Sequence, residues 1–117
     1  RAGDAFQTVE HLLEQANNPK SEAIKIVAML NAYFAKLWKL WACRNERLSK
    51  KALAGRIGVP PFFVSEYKAS LRRYDRTDIE RAFSALLAAD YELKGGARRD
   101  ARLVMTLLLR RLTPANS

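Results

Sequence analysis

Few side chains in this sequence are equipped for chemistry, and those that are stand far apart. One histidine, His11, and one cysteine, Cys43, are present. A nucleophile needs its base within hydrogen-bond reach, and no local motif brings these two together. A metal ion needs three or four nitrogen, sulfur or carboxylate ligands, and His11 has no second His or Cys to share one with. The carboxylates fall mostly at cap-like or solvent-facing helical positions, so spacing forms no acid–base dyad. Gly95-Gly96-Ala97-Arg98 is glycine-rich but lacks the spacing and the Lys–Ser/Thr pair with which a loop cradles phosphate. The sequence therefore reads as a protein that binds or assembles, without catalytic residues, metal or cofactor. A lone cysteine cannot form an internal disulfide and fits a reducing cytosol, where Cys43 is expected as a small core or boundary residue.

Charge is the next signal. The chain carries a formal net charge of +9, and its cations cluster at Arg72 with Arg73, Arg98 with Arg99, Arg102, and Arg110 with Arg111. Such a field attracts polyanions or acidic protein surfaces. Each cluster taken alone also reads as an ordinary solvated helix face. One constellation fits a DNA-reading helix-turn-helix: Ala54, Gly58 and Val64 have the spacing of its small residue, turn glycine and apolar anchor. The positions that would face the major groove are Pro60, Pro61, Phe62, Ser65 and Glu66, and base edges need donors and acceptors such as Arg, Asn or Gln. A small basic helix-turn-helix domain is thus the alternative reading. Contact with DNA through Arg72, Arg73, Arg98 and Arg99 is expected to be weak and independent of base sequence.

The elements that must position these residues are helices throughout, so the fold class is all-α, a single bundle of about six helices. The 117 residues suffice for one domain with its own core, and 49% of them are apolar. Phe6, Val9, Leu12 and Leu13 mark a first helix from near Asp4 to before Asn17. Asn18-Pro19 reads as an N-cap followed by proline at the first helical position, opening a long helix to about Asn45. Ala23, Val27, Leu30, Phe34, Leu37 and Trp41 form its main stripe, widened by Ile26, Tyr33 and Leu40. Only Lys25, Ala28, Ala32, Lys36 and Lys39 stay polar or small, so this helix belongs in the middle of the bundle, with both tryptophans in the core.

Ser49 caps a short helix over 50–57 that Gly58 stops, and a further helix spans about 61–73. Asp75 caps the next, with Asp78 at its third position, and this one is expected to reach Lys94 before Gly95-Gly96. Asp100 caps the last helix, with Leu103, Val104, Leu107, Leu108 and Leu112 facing a core, and the tail 113–117 is expected to fray. Lys25, Lys36, Lys39, Arg110 and Arg111 interrupt the apolar runs, so no membrane span is expected. The chain opens on Arg1 rather than methionine, which reads as a fragment or a processed product, and it starts with no signal peptide.

Four stretches carry a family resemblance: G-V-P-P-F-F-V from Gly58, R-R-Y from Arg72, L-L-A-A-D-Y-E-L-K-G from Leu86, and D-A-R-L-V-M-T-L-L-L-R-R-L from Asp100. Together they resemble the C-terminal domain of the delta subunit of bacterial DNA polymerase III, over nearly the whole chain. The resemblance implies a cytoplasmic bacterial protein and a helical collar domain, which joins the corresponding domains of the other clamp-loader subunits into a ring. That complex opens the sliding clamp and places it on primed DNA in replication. The family's clamp-opening element and AAA+-like nucleotide-binding domains lie N-terminal to this region and are absent from the sequence. The implied partners are therefore sister clamp-loader subunits, with DNA held weakly and no membrane. The parent complex would be the DNA polymerase III holoenzyme.

Two expectations about sites follow. Ile79, Phe83, Leu86, Asp90 and Leu93 share a stripe, so Asp90 is expected near the buried face, in an ion pair with Lys94 four residues on. Leu107, Leu108 and Leu109 are consecutive and cannot all face one core, because neighbours on a helix diverge by about 100°. They are expected to supply a subunit interface, rimmed by Arg99, Arg102 and Arg110, through which the isolated domain can also dimerise.

Overall fold

The computed structural model describes residues 2–96 and 98–114, with side chains from residue 7 onward. The side chain of Phe6 and the tail residues Ala115 to Ser117 therefore lie outside what is described. Six α-helices follow one another: α1 (Ala2–Gln15), α2 (Pro19–Ala42), α3 (Lys50–Ile57), α4 (Val64–Arg73), α5 (Arg76–Tyr91) and α6 (Ala101–Leu112). A single 3₁₀ turn, Pro61–Phe63, leads into α4, and a wide π-type turn, Glu92–Gly96, follows α5. Among the described residues there is no strand. No helix there is long and apolar enough to cross a membrane.

Local side-chain chemistry starts the helices where expected. The Asn18 side chain accepts from the Ser21 N–H at 3.1 Å, and Pro19 costs nothing at the first helical position because its missing N–H would have had no partner. Ser49 accepts from the Ala52 N–H at 3.1 Å and Asp100 from the Leu103 N–H at 2.8 Å. Asp75 and Asp78 form a reciprocal capping box: Asp75 accepts from the Asp78 N–H at 2.8 Å, and Asp78 from the Asp75 N–H at 3.1 Å. Gly58 ends α3 in the left-handed region, at φ 81°. There its N–H and that of Val59 both reach the Ala54 carbonyl, at 2.9 and 3.1 Å.

Two helix ends fall short of their expected positions. Helix α2 stops at Ala42 rather than Asn45, because the chain turns at Cys43 to bring α3 back onto it. The Cys43 N–H bonds to the Lys39 and Leu40 carbonyls, while the Arg44 N–H and guanidinium both reach the Trp41 carbonyl. Helix α5 stops at Tyr91 rather than Lys94, since Lys94 has already left helical geometry and Gly95 sits at φ 103°. At the C-terminal end, the Thr113 hydroxyl donates to the Leu109 carbonyl at 3.2 Å and Pro114 is buried, so the chain is still held there rather than frayed.

Helices α1, α2, α5 and α6 enclose the main core, with Leu37, Ile79, Leu86, Val104 and Met105 sealed inside it. Alanines at 82, 85 and 89 keep the inner face of α5 narrow and fully buried. A second cluster, Leu40, Cys43, Leu53, Ala54, Ile57 and Val64, seals α3 and α4 against the far end of α2. Tyr67 and Leu71 of α4 pack against both clusters. An aromatic group ties α4 to α2: Tyr33 lies 5.2 Å from Tyr67 and donates its hydroxyl to Ser70 Oγ. Tyr74 packs edge-on against Phe34 and donates to the Leu112 carbonyl at 2.9 Å, holding the end of α6. Trp38 and Trp41 are only half-buried, stacked on each other at 5.3 Å along one side of α2, so they form a flank of the core rather than its centre.

Candidate assembly surface

The three consecutive leucines of α6 go in different directions. Leu108 is 2% exposed and packs in the main core, at the bottom of the groove between α5 and α6, instead of standing out on the surface. Its neighbours lie about 100° to either side. Leu109 turns toward α1, where it lines a small cavity with Val9, Leu13 and Met105. Leu107 turns toward α5 and opens onto a groove of 370 Å³ between the two helices. The groove is floored by Ala85, Ala88, Ala89 and Val104, and Arg110 and Arg111 stand over it.

The arginines expected as a rim divide in the same way. Arg102 is engaged within the chain, 3.1 Å from Glu10 Oε1 and 3.6 Å from Glu14 Oε1, so it fastens α6 to α1 instead of facing a neighbour. Arg99 lies 3.3 Å from Glu92 Oε1 across the loop before α6. Arg110 and Arg111 are exposed and make no ion pair among the described residues. They remain the cations of this face.

Sequence reasoning missed two highly exposed apolar residues of α5 that lie outside the groove. Leu87 is 72% exposed and Tyr91 66%. Spaced four apart, they stand one above the other on the outer face of α5. Leu87 also borders a depression on the other side of that ridge, between α5 and α2, lined by Val27, Ala28, Asn31 and Phe83. The signal was present in the pair Leu86-Leu87, since only one of two adjacent leucines can join the stripe of Ile79, Ala82 and Leu86.

The Asp90 carboxylate lies 3.0 Å from Lys94 Nζ, but it is 36% exposed, at the edge of the core. The deeply buried carboxylate is Asp78, 5% exposed, satisfied by the capping box and 3.6 Å from Arg81. Among the described residues no buried side-chain nitrogen or oxygen lacks a hydrogen-bond partner. His11 is exposed on α1, whereas Cys43 is buried and donates its S–H to the Lys39 carbonyl at 3.2 Å.

The helix-turn-helix spacing produces real geometry without the chemistry of a reader. Ala54 and Val64 are buried against each other's helices and Gly58 makes the turn. The outward positions Pro60, Pro61, Phe62, Ser65 and Glu66 are all exposed, and Phe62 packs only on Phe63, at 4.6 Å between rings. Arg72 and Arg73 are exposed in the last turn of α4, and Arg98 and Arg99 are exposed ahead of α6.

No curated protein and no solved structure matches the chain. The family model described as the DNA polymerase III delta subunit, C-terminal domain, matches residues 1–111. An all-α bundle covers that range, and the chain belongs to this family of C-terminal domains of the DNA polymerase III delta subunit.

Proposed function

We propose that this domain works as the collar piece of a clamp-loader delta subunit, a non-catalytic module that joins the equivalent domains of sister subunits in the bacterial cytoplasm. The observation that carries this reading is the apolar surface of α5 and α6. Leu107 lies in a groove floored by alanines, with Arg110 and Arg111 at its edge, and Leu87, Tyr91 and Leu103 stand exposed elsewhere on the same two helices. Small residues on a groove floor let a partner helix approach closely, and a tyrosine with flanking arginines is the composition of an interface core. A stable contact of this kind buries roughly 800 Å² per partner. The same surface would let the isolated domain pair with itself.

The test mixes the protein with the other clamp-loader subunits of its source and follows co-elution. Leu87→Glu and Leu107→Glu together are expected to abolish the complex while leaving circular dichroism unchanged, since Leu87 is exposed and Leu107 half-buried. Co-elution of the double variant at wild-type levels would remove the surface from the reading. DNA contact, on the same reading, is phosphate attraction through Arg72, Arg73, Arg98 and Arg99, weak and steeply reduced by salt. A preference of about a hundredfold among duplexes at physiological salt would instead favour the helix-turn-helix.

A further inference from the structure

A cleft of 480 Å³ opens between the C-terminal end of α2, the α2–α3 connection and α4, and shares no residue with the α5–α6 groove. Its floor is aliphatic, built from Leu48, Leu53 and Leu71. Its walls carry four cations, Arg44, Arg47, Lys68 and Arg72, against two carboxylates, Glu46 and Asp75. Both carboxylates are already engaged: Glu46 Oε2 lies 3.3 Å from Arg56, and Asp75 accepts the Asp78 N–H as the cap of α5. Arg47, Lys68 and Arg72 make no ion pair among the described residues, so the positive field of the cleft is uncompensated.

We propose that this cleft is a docking site for a short acidic peptide segment of a partner protein. An apolar side chain of the segment sits on the leucine floor, and flanking carboxylates face Arg47, Lys68 and Arg72. Charge complementarity selects an anionic occupant, and the floor selects a peptide over a nucleic acid. Single strands are held chiefly by stacking bases on open aromatic faces. Neither aromatic of the cleft is free for this: Trp41 is stacked on Trp38 and covered by the Arg44 guanidinium at 3.8 Å, and Tyr74 packs edge-on against Phe34 and donates to the Leu112 carbonyl. The Arg44 guanidinium also donates to the Trp41 carbonyl at 2.9 Å, so its charge is fixed at the rim before any ligand arrives. This site does not rest on the collar reading and can stand or fall separately.

The probe is a fluorescein-labelled peptide with Asp and Glu residues flanking a Leu-Phe pair, titrated into the full chain by anisotropy at physiological salt. Saturable binding is expected, and it should be lost when the acidic residues of the peptide are replaced by their amides or its Leu-Phe pair by serines. R47E with K68E is expected to weaken binding at least about tenfold, as reversal of two charges on an exposed rim does. R111E, which alters only the α5–α6 groove, should leave it unchanged. Three results would overturn the proposal: equal binding of the amide peptide, indifference to R47E with K68E, or tighter binding of a single-stranded oligonucleotide of the same charge.

Discussion

Replacing Gly58 with alanine isolates a single energetic cost in this fold. Gly58 holds φ 81° and ψ 39° at the end of α3, a conformation that roughly 1–2 kcal/mol disfavours for any residue with a Cβ. A Cβ built there meets nothing within 4 Å, so no steric clash adds to the backbone penalty. The hydrogen bonds from Gly58 and Val59 to the Ala54 carbonyl survive the change. Alanine also narrows the unfolded ensemble, which returns about 0.4–1 kcal/mol to the folded state. The net expectation is a loss of about 1 kcal/mol, by the same left-handed penalty less that gain. Asparagine tolerates the left-handed region and should cost less, while a β-branched valine should cost more. Equilibrium urea unfolding reads the series. With a slope of about 1–3 kcal/mol per molar, the alanine variant's midpoint falls by roughly half a molar. An alanine midpoint at or above wild type, or asparagine worse than alanine, would mean that the turn escapes the left-handed region and that the reasoning fails.

Two further perturbations separate buried from superficial electrostatics. Asp78→Ala removes half of a capping box and a carboxylate that is 5% exposed, and should cost about 1–2 kcal/mol. Asp90→Ala breaks a half-exposed i,i+4 pair with Lys94 and should cost no more than about 0.5 kcal/mol. Equal urea midpoints for the two variants would contradict that ordering. Tyr74 and Tyr67 have hydroxyl pKa values raised above the ordinary 10.0, first by burial and then by the neighbouring Tyr33. The folded chain keeps these protons where the unfolded chain releases them. Stability is therefore complete below pH 10 and declines as pH rises through the folded-state values, and Tyr74→Phe should flatten part of that decline in alkaline unfolding curves.

What the sequence disclosed divides by range. Caps at Asn18, Ser49, Asp75 and Asp100 were legible because each is a bond between a side chain and a backbone N–H three residues ahead. The left-handed turn at Gly58 was legible because a residue without a Cβ enters that region at little steric cost. Helical period placed Val27, Phe34 and Leu37 inside correctly, since burial of one face needs no knowledge of the partner. The rest is tertiary. Leu108 was expected at an interface, but the share of three adjacent leucines taken by the core depends on where α1 and α5 lie. Arg102 was expected to face a neighbour, but its partners Glu10 and Glu14 lie in the first helix of the chain. Asp90 forms the expected pair with Lys94 at the edge of the core, while the more deeply buried carboxylate is Asp78 in the capping box. The ridge of Leu87 and Tyr91 escaped notice because exposure is a property of what fails to cover a residue.

The two packing clusters meet along α2 and through Tyr67 and Leu71, and otherwise share no buried residue. Such a division sets two thresholds of opening within one chain. The α3–α4 pair, sealed by six buried residues, can come away while the four-helix core stays closed, and its amide protons then exchange by that cheaper route. The arginine-lined cleft lies on the seam between the pair and α2, so its walls exist only while the seam is shut. Any occupant of the cleft therefore acts as a latch. By mass action it raises the free energy of every opening that breaks the cleft, the local one and global unfolding alike.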